Sequence, residues 1–324
     1  MGKVDIATKQ YMSHRDVIAD FFNFYIYDGR QVIKPEKLQK IDTAEVALPY
    51  GNDAEIAVQK LRDNIMLWTM AMDDKAAYAV LGIENQDKIH YAMAVKNMLY
   101  DALQYAKQVE EAKRSYRNGL NKKRIKLNSE EFLSGLKKAD RLMPVITLVV
   151  YFGDKDWDGA KSIHEMLSVD DDELLSYVPN YKINLIEPAK ISDEDYDKFK
   201  TDVGSVLQFI KHQSDEDGSW IKGKTRFKHV EKEAVELINL ITGSKITGEE
   251  KEEVVDMCRA WENSINNAMR EGMREGELKG KIEILYEECN MSIHDIARKV
   301  SKPEEYVREV IRKMSQRTCR EKNC

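Results

Sequence analysis

The sequence predicts a mixed α/β sheet flanked by helices, followed by a helical C-terminal region, and three observations carry that prediction. Two β-prone apolar runs, at about 64–72 and 76–85, flank the polar turn Met72-Asp73-Asp74-Lys75 and read as a hairpin. A long helical pattern over 92–117 then leads to a run from Val145 to Phe152, apolar enough for a strand buried on both faces. From about 249 onward the pattern is helical and charged.

Taken in order, Val17, Ile18, Phe21, Phe22 and Tyr25 fall at helical spacing within 14–28, and Gly29 closes that helix. Asp16 and Asp20 read as its solvent-facing charges. A polar connection follows, with Pro35 and Pro49-Tyr50-Gly51, and a strand is expected at about 55–60 before the hairpin. The helix over 92–117 ends near Asn118-Gly119. The strand after it stops at Gly153, and Asp154–Trp157 reads as a loop anchored by Trp157. A short helix at 160–167, a strand over Tyr181–Ile186 stopped by Pro188, and a helix at 193–212 complete the domain. The core order is helix, three strands, helix, strand.

The chain turns polar between about 213 and 250, so three regions are expected: a domain over 1–215, a linker with a short helix over 216–250, and a helical region over 251–324. Gly272, Gly276 and Gly280 recur every four residues along the charged helix at 249–286. They line one face, which suits close contact with another helix, such as one across a dimer, or else marks a frayed helix. Ser292 with Asp295 and Ser301 with Glu304 have capping-box spacing. The segment 292–313 has the pattern of a small helix-turn-helix, a pattern shared by many helical hairpins that never meet DNA.

Charged residues make up 33% of the 324 residues and the net charge is −6, so bulk charge does not advertise nucleic acid. The stretch Lys107–Lys126 differs: it holds 8 Lys/Arg and 2 acids. Lys113, Arg114, Arg117, Lys122, Lys123 and Arg124 there could meet phosphate, or form a solvated helix end. The basic tail from Arg312 to Lys322 adds mildly to that case. Cys258, Cys289, Cys319 and Cys324 form no C-x-x-C pair, which argues against structural zinc and for reduced thiols in a cytosol. The longest apolar run is too short to span a bilayer, and the opening MGKVDIATKQ lacks a signal-peptide core. No membrane partner is expected.

The chemistry concentrates at the outer end of the hairpin. If Asp73-Asp74 is a two-residue loop, Met72 pairs with Lys75 and Asp63 falls directly opposite Glu84, with Gln86 on the same face. Two adjacent carboxylates repel, and a divalent cation resolves the repulsion. The plain alternative is a strand-end aspartate and a solvated glutamate. Asp42 and Glu45, in the polar segment upstream, are candidates for a further acid. Tyr100 and Tyr105 are either site or packing residues.

The arrangement Asp63 … Ile83-Glu84-Asn85-Gln86 resembles the PD-(D/E)XK nuclease superfamily, and most closely its bacterial recombination-promoting nucleases, also labelled putative transposases. The resemblance continues through Met93 … Lys96 … Met98-Leu99-Tyr100, through Met143-Pro144-Val145-Ile146, and through Tyr151-Phe152-Gly153 with Trp157. Glu271-Gly272 and Glu275-Gly276 extend it toward the C-terminus. It implies a restriction-endonuclease-like core in a bacterial cytoplasmic protein and metal-dependent hydrolysis of DNA phosphodiesters. Asp63 and Glu84 carry over as Mg²⁺ ligands, with the carbonyl of Asn85 as a third oxygen. Gln86 stands where most of the superfamily has Lys. It can orient water but supplies no positive charge, and Lys96, in place of the family's Arg, is the candidate to supply it. Tyr100, four residues on, can brace Lys96 or bond a phosphate.

Three functions compete on this reading: a Mg²⁺-dependent DNA endonuclease linked to recombination or mobile elements, an inactive DNA-binding protein on the same fold, and a helical partner-binding scaffold. Cutting both strands needs two sites, which is the argument for a homodimer.

Overall fold

The computed structural model describes residues 3–41, 65–72, 77–86, 88–121, 126–153, 155–215, 218–248 and 253–321. The chain forms two compact units, Met1–Asp256 and Met257–Cys324. Unit 1 is a mixed α/β structure. It opens with α1 (Lys3–Tyr11) and α2 (Arg15–Tyr27), followed by β1 (Leu38–Ile41), β2 (Ile65–Met72) and β3 (Ala77–Gln86). Then come α3 (Met93–Asn121), α4 (Ser129–Ser134), β4 (Val145–Tyr151), α5 (Asp172–Leu175) and β5 (Asn184–Ile186). It closes with α6 (Val203–Lys211), β6 (Val230–Glu231), α7 (Lys232–Thr242) and β7 (Val254–Val255).

One five-stranded sheet, in the order β1-β2-β3-β4-β5, organises the unit. The first three strands are an antiparallel meander, and β3, β4 and β5 run parallel. The long helix α3 makes the crossover that parallel β3 and β4 require. The order among the described residues is two helices, three strands, two helices and a strand, and its first strand, β1 at Leu38–Ile41, is one the sequence pattern did not suggest. The strand expected at 55–60 lies outside the described residues. β4 is buried along almost its whole length, as its unbroken apolar sequence requires.

Three elements differ from the sequence reading, each for a local reason. The short helix expected at 160–167 is a 3₁₀ turn, His164–Met166. Ser162 before it is instead bridged to Lys182, with Ile163 N–H donating to Tyr181 O and Ile183 N–H donating to Lys161 O. The helix expected at 193–212 is split into a 3₁₀ turn, Asp195–Lys198, and α6. Between them, the buried carboxylate of Asp20 takes the amides of Lys200 and Thr201 and so interrupts any helical ladder. The segment 216–250, read as a linker, carries core residues of unit 1: Ile221, Phe227, Val230, Ala234 and Ile238 are fully buried. Its polar character comes from the exposed residues between them.

Gly29 follows α2 at φ +80°, and a Cβ there would meet the Cβ of Lys198 at 2.7 Å, so both conformation and space call for glycine.

Unit 2 consists of α8 (Met257–Glu287), α9 (Ile293–Val300) and α10 (Glu304–Glu321). Its core joins Ile282 and Leu285 of α8, Ile296 and Ala297 of α9, and Val307, Val310 and Ile311 of α10. Ser292 caps α9 by accepting from the Asp295 amide. Ser301 ends α9 in the left-handed conformation, φ +53°, which is a C-cap role rather than the N-cap suggested by its spacing from Glu304.

Candidate active site

The hairpin register decides how the sequence-read acids can meet. β2 ends at Met72 and β3 begins at Ala77, and these two residues pair. The connection therefore has four residues, 73–76, and the register is offset by two from the one a two-residue loop would give. Glu84 is paired with Ile65, not with position 63. Asp63 itself lies outside the described residues, as do Asp42, Glu45, Lys122, Lys123 and Arg124. An offset of two preserves the alternation of positions along the two strands.

β3 runs parallel to β4 with Gly82 beside Thr147, Glu84 beside Val149 and Gln86 beside Tyr151; Asn85 is aligned with Val150. Aligned positions in a sheet share a face. Positions 82, 84 and 86 thus belong to the face of Thr147, Val149 and Tyr151, and that face is covered by α3. Val149 and Tyr151 pack with Met93 and Ala94 of α3 and with Trp157, Ile163 and Ile183. Trp157 lies edge-on to Tyr151 at 5.4 Å and donates its indole N–H to Gly159 O at 2.9 Å, which makes it the anchor of its loop.

Two stripes of α3 meet the sheet. The first is Ala94, Asp101, Tyr105 and Gln108. Asp101 accepts from Thr147 Oγ1 at 2.7 Å and from the Tyr181 hydroxyl at 2.7 Å. The Tyr105 hydroxyl accepts from Val145 N–H at 3.1 Å, and Gln108 bonds both backbone groups of Met143. Burial holds the Asp101 carboxyl above the ordinary aspartate range, and the bonds from Thr147 and Tyr181 only partly offset it. Burial and the Asp101 carboxylate push the Tyr181 phenol strongly upward.

The second stripe is Met93, Asn97, Tyr100 and Gln104, spaced four, three and four residues apart. Since the first stripe reaches β4 and Tyr181, which leads into β5, this one lies on the β3 side. It is buried, yet three of its four members are polar: Asn97 is 0% exposed, Tyr100 6% and Gln104 7%. Lys96 flanks it, half-buried, with its ammonium 5.7 Å from the Tyr100 ring centroid. The sequence reading named Lys96 and Tyr100 but missed Asn97, Asp101 and Gln104. The available signal was the 4-3-4 spacing, which puts polar residues on the core-facing stripe of an amphipathic helix.

Of the proposed phosphate-contacting residues, Lys113 and Arg114 both lie near Glu110, at 3.9 and 3.6 Å, and Arg117 is exposed. Glu110 and Glu111 thus temper the patch along α3. Among the described residues no group of three His, Cys, Asp or Glu could hold a metal ion. Among them also, no helix is long and apolar enough to cross a membrane.

A family model described as putative transposase, YhgA-like, matches residues 5–234. No curated protein and no solved structure matches the chain.

Proposed function

This chain belongs to the YhgA-like putative transposases, and from that premise we propose that it is a divalent-metal-dependent DNA endonuclease with a restriction-endonuclease-like core. The observation that carries the reading is the buried polar stripe of α3 on the β3 side of the sheet. A helix over a sheet normally fills such a stripe with apolar residues, because buried polar groups are costly without partners. Asn97, Tyr100 and Gln104 in that place suit a polar site over the strand that bears Glu84, Asn85 and Gln86.

Glu84 and the Asn85 carbonyl, together with Asp63, would hold the ion. These are hard oxygen donors of the kind Mg²⁺ takes alongside water. The chemistry a bound ion supplies there is polarisation of the scissile phosphate and activation of a water. The Gln86 amide orients that water by hydrogen bonds. Lys96 places a positive charge on the β3 side of α3, where charge builds up on phosphate, and Tyr100 braces its stem. Lys113, Arg114 and Arg117 extend the contact along the DNA backbone. The family description supports a mobile-element link, a recombination role is part of the same proposal, and two copies would be needed to cut both strands.

The test is supercoiled plasmid incubated with purified protein. Mg²⁺ should support nicking, EDTA should stop it, and Glu84→Ala and Asp63→Ala should abolish it while leaving thermal unfolding cooperative. Equal inertness of wild type and both variants, with DNA still retarded on a gel, would favour the non-catalytic binding protein. Absence of both cutting and binding at low salt would favour a partner-binding scaffold.

A further inference from the structure

Asn97 is the most unusual residue of the α3 stripe. It is 0% exposed, and neither its Oδ1 nor its Nδ2 has a hydrogen-bond partner among the described residues. A buried primary amide with no partner is rare, because the lost water is not replaced. Its level along the sheet can be read from its neighbours. Tyr105 bonds at Val145 and Asp101 bonds at Thr147, so four residues back along α3 correspond to two residues forward along β4. One more step brings Asn97 level with Val149, and Val149 is the parallel partner of Glu84. Asn97 also lies on the flank of α3 that faces β3.

We propose that Asn97 is a positioning residue for Glu84: its amide N–H is held ready to donate to the Glu84 carboxylate when that carboxylate turns to bind a metal. This rests on the nuclease reading and adds to it a residue that acts through another. In the metal-free chain the amide is a cost; in the loaded site it fixes the carboxylate oxygen that does not face the ion.

Asn97→Leu, branched at Cγ like asparagine but larger and without polar atoms, separates a useful amide from a merely tolerated one, and Asn97→Ala gives the same test without risk of overpacking. Melting in EDTA should show Asn97→Leu more stable than wild type by about 2–4 °C. Mn²⁺ titration, followed by the metal-induced rise in melting temperature, should show affinity about tenfold or more weaker in both variants. Plasmid nicking should fall to match through kcat, with the KM for DNA unchanged. If wild type gains stability from Mn²⁺ and nicks, but both variants do so equally, Asn97 has no such role and this inference fails alone. If wild type gains no stability from any divalent ion and never nicks, the nuclease reading fails and takes this inference with it.

Discussion

Asp20 and Asn23, on the buried side of α2, do for distant chain segments what capping residues do for helix ends. One oxygen of Asp20 accepts from Lys200 N–H at 2.8 Å, Thr201 N–H at 2.7 Å and Thr201 Oγ1 at 2.8 Å. Asn23 pairs with both backbone groups of Ile33 and with Val32 N–H. Burial raises the Asp20 carboxyl pKa and the Thr201 and Lys200 bonds only partly restore it, so the ionised group is held at some cost for the sake of three donors. Asp20→Ala leaves those donors without their acceptor, and the expected loss is about 2–4 kcal/mol, read as a lower urea midpoint at unchanged slope. Asp20→Asn keeps a carbonyl acceptor and should cost less. The sequence reading set Asp20 facing solvent, although three residues after Val17 it falls on the apolar side. Charge argued for water, and its partners, 180 residues away in the chain, could not be seen. Asn97 was hidden differently: its spacing was visible, but a polar residue at a core position reads as an exception until the sheet beneath it is known.

At the scale of elements, periodicity was a good guide wherever an element is long. α2, α3, β4 and the two terminal helices lie close to their expected spans, because each has enough apolar residues at one period to fix its face, whereas α8 begins at Met257 rather than 249 because Val254–Val255 pairs with β6. Short elements were not legible: β1 has four residues, and the place of Ser162 is set by a bridge to the distant Lys182. The hairpin was legible as a hairpin but not in register, since a polar four-residue connection and a two-residue turn with longer strands share one sequence pattern. The α8 glycines pose the opposite problem, a clear pattern with two meanings. A Cβ added at Gly272, Gly276 or Gly280 would meet nothing within 4 Å among the described residues. Gly276→Ala should therefore raise helix content and stabilise by about 1 kcal/mol, measured by circular dichroism melts at low concentration. A loss of stability that grows with protein concentration would instead mean that a second helix sits closely against this face.

For the molecule as a whole, net charge concealed how the ionisable groups are distributed. Among the described residues four acids, Asp20, Asp101, Asp202 and Glu231, have pKa values raised mainly by burial, while a larger surface set is held down by cationic or hydrogen-bonding partners. The two sets act in opposite directions with pH. A raised acid contributes stability at low pH that is lost as pH rises through its folded pKa; a lowered acid contributes stability that is lost as pH falls. Asp193 is the member of the second set that joins the most distant segments. Its carboxylate lies 2.9 Å from Lys211 Nζ, 3.0 Å from His212 Nε2 and 3.8 Å from Lys224 Nζ, tying the turn before Asp195–Lys198 to the end of α6 and to the loop beyond it. Burial alone would push Asp193 upward, but the bonds from Lys211 and His212 outweigh it and bring the pKa to about 2. Because the folded value is below the unfolded one, its contribution is complete above the ordinary aspartate range near 4 and disappears as pH falls toward 2. Melting temperature should therefore drop more steeply for wild type than for Asp193→Asn between about pH 4 and pH 2, and the two curves should converge at the acid end. Parallel curves across that window would mean that Lys211 and His212 do not hold this carboxylate in the folded protein.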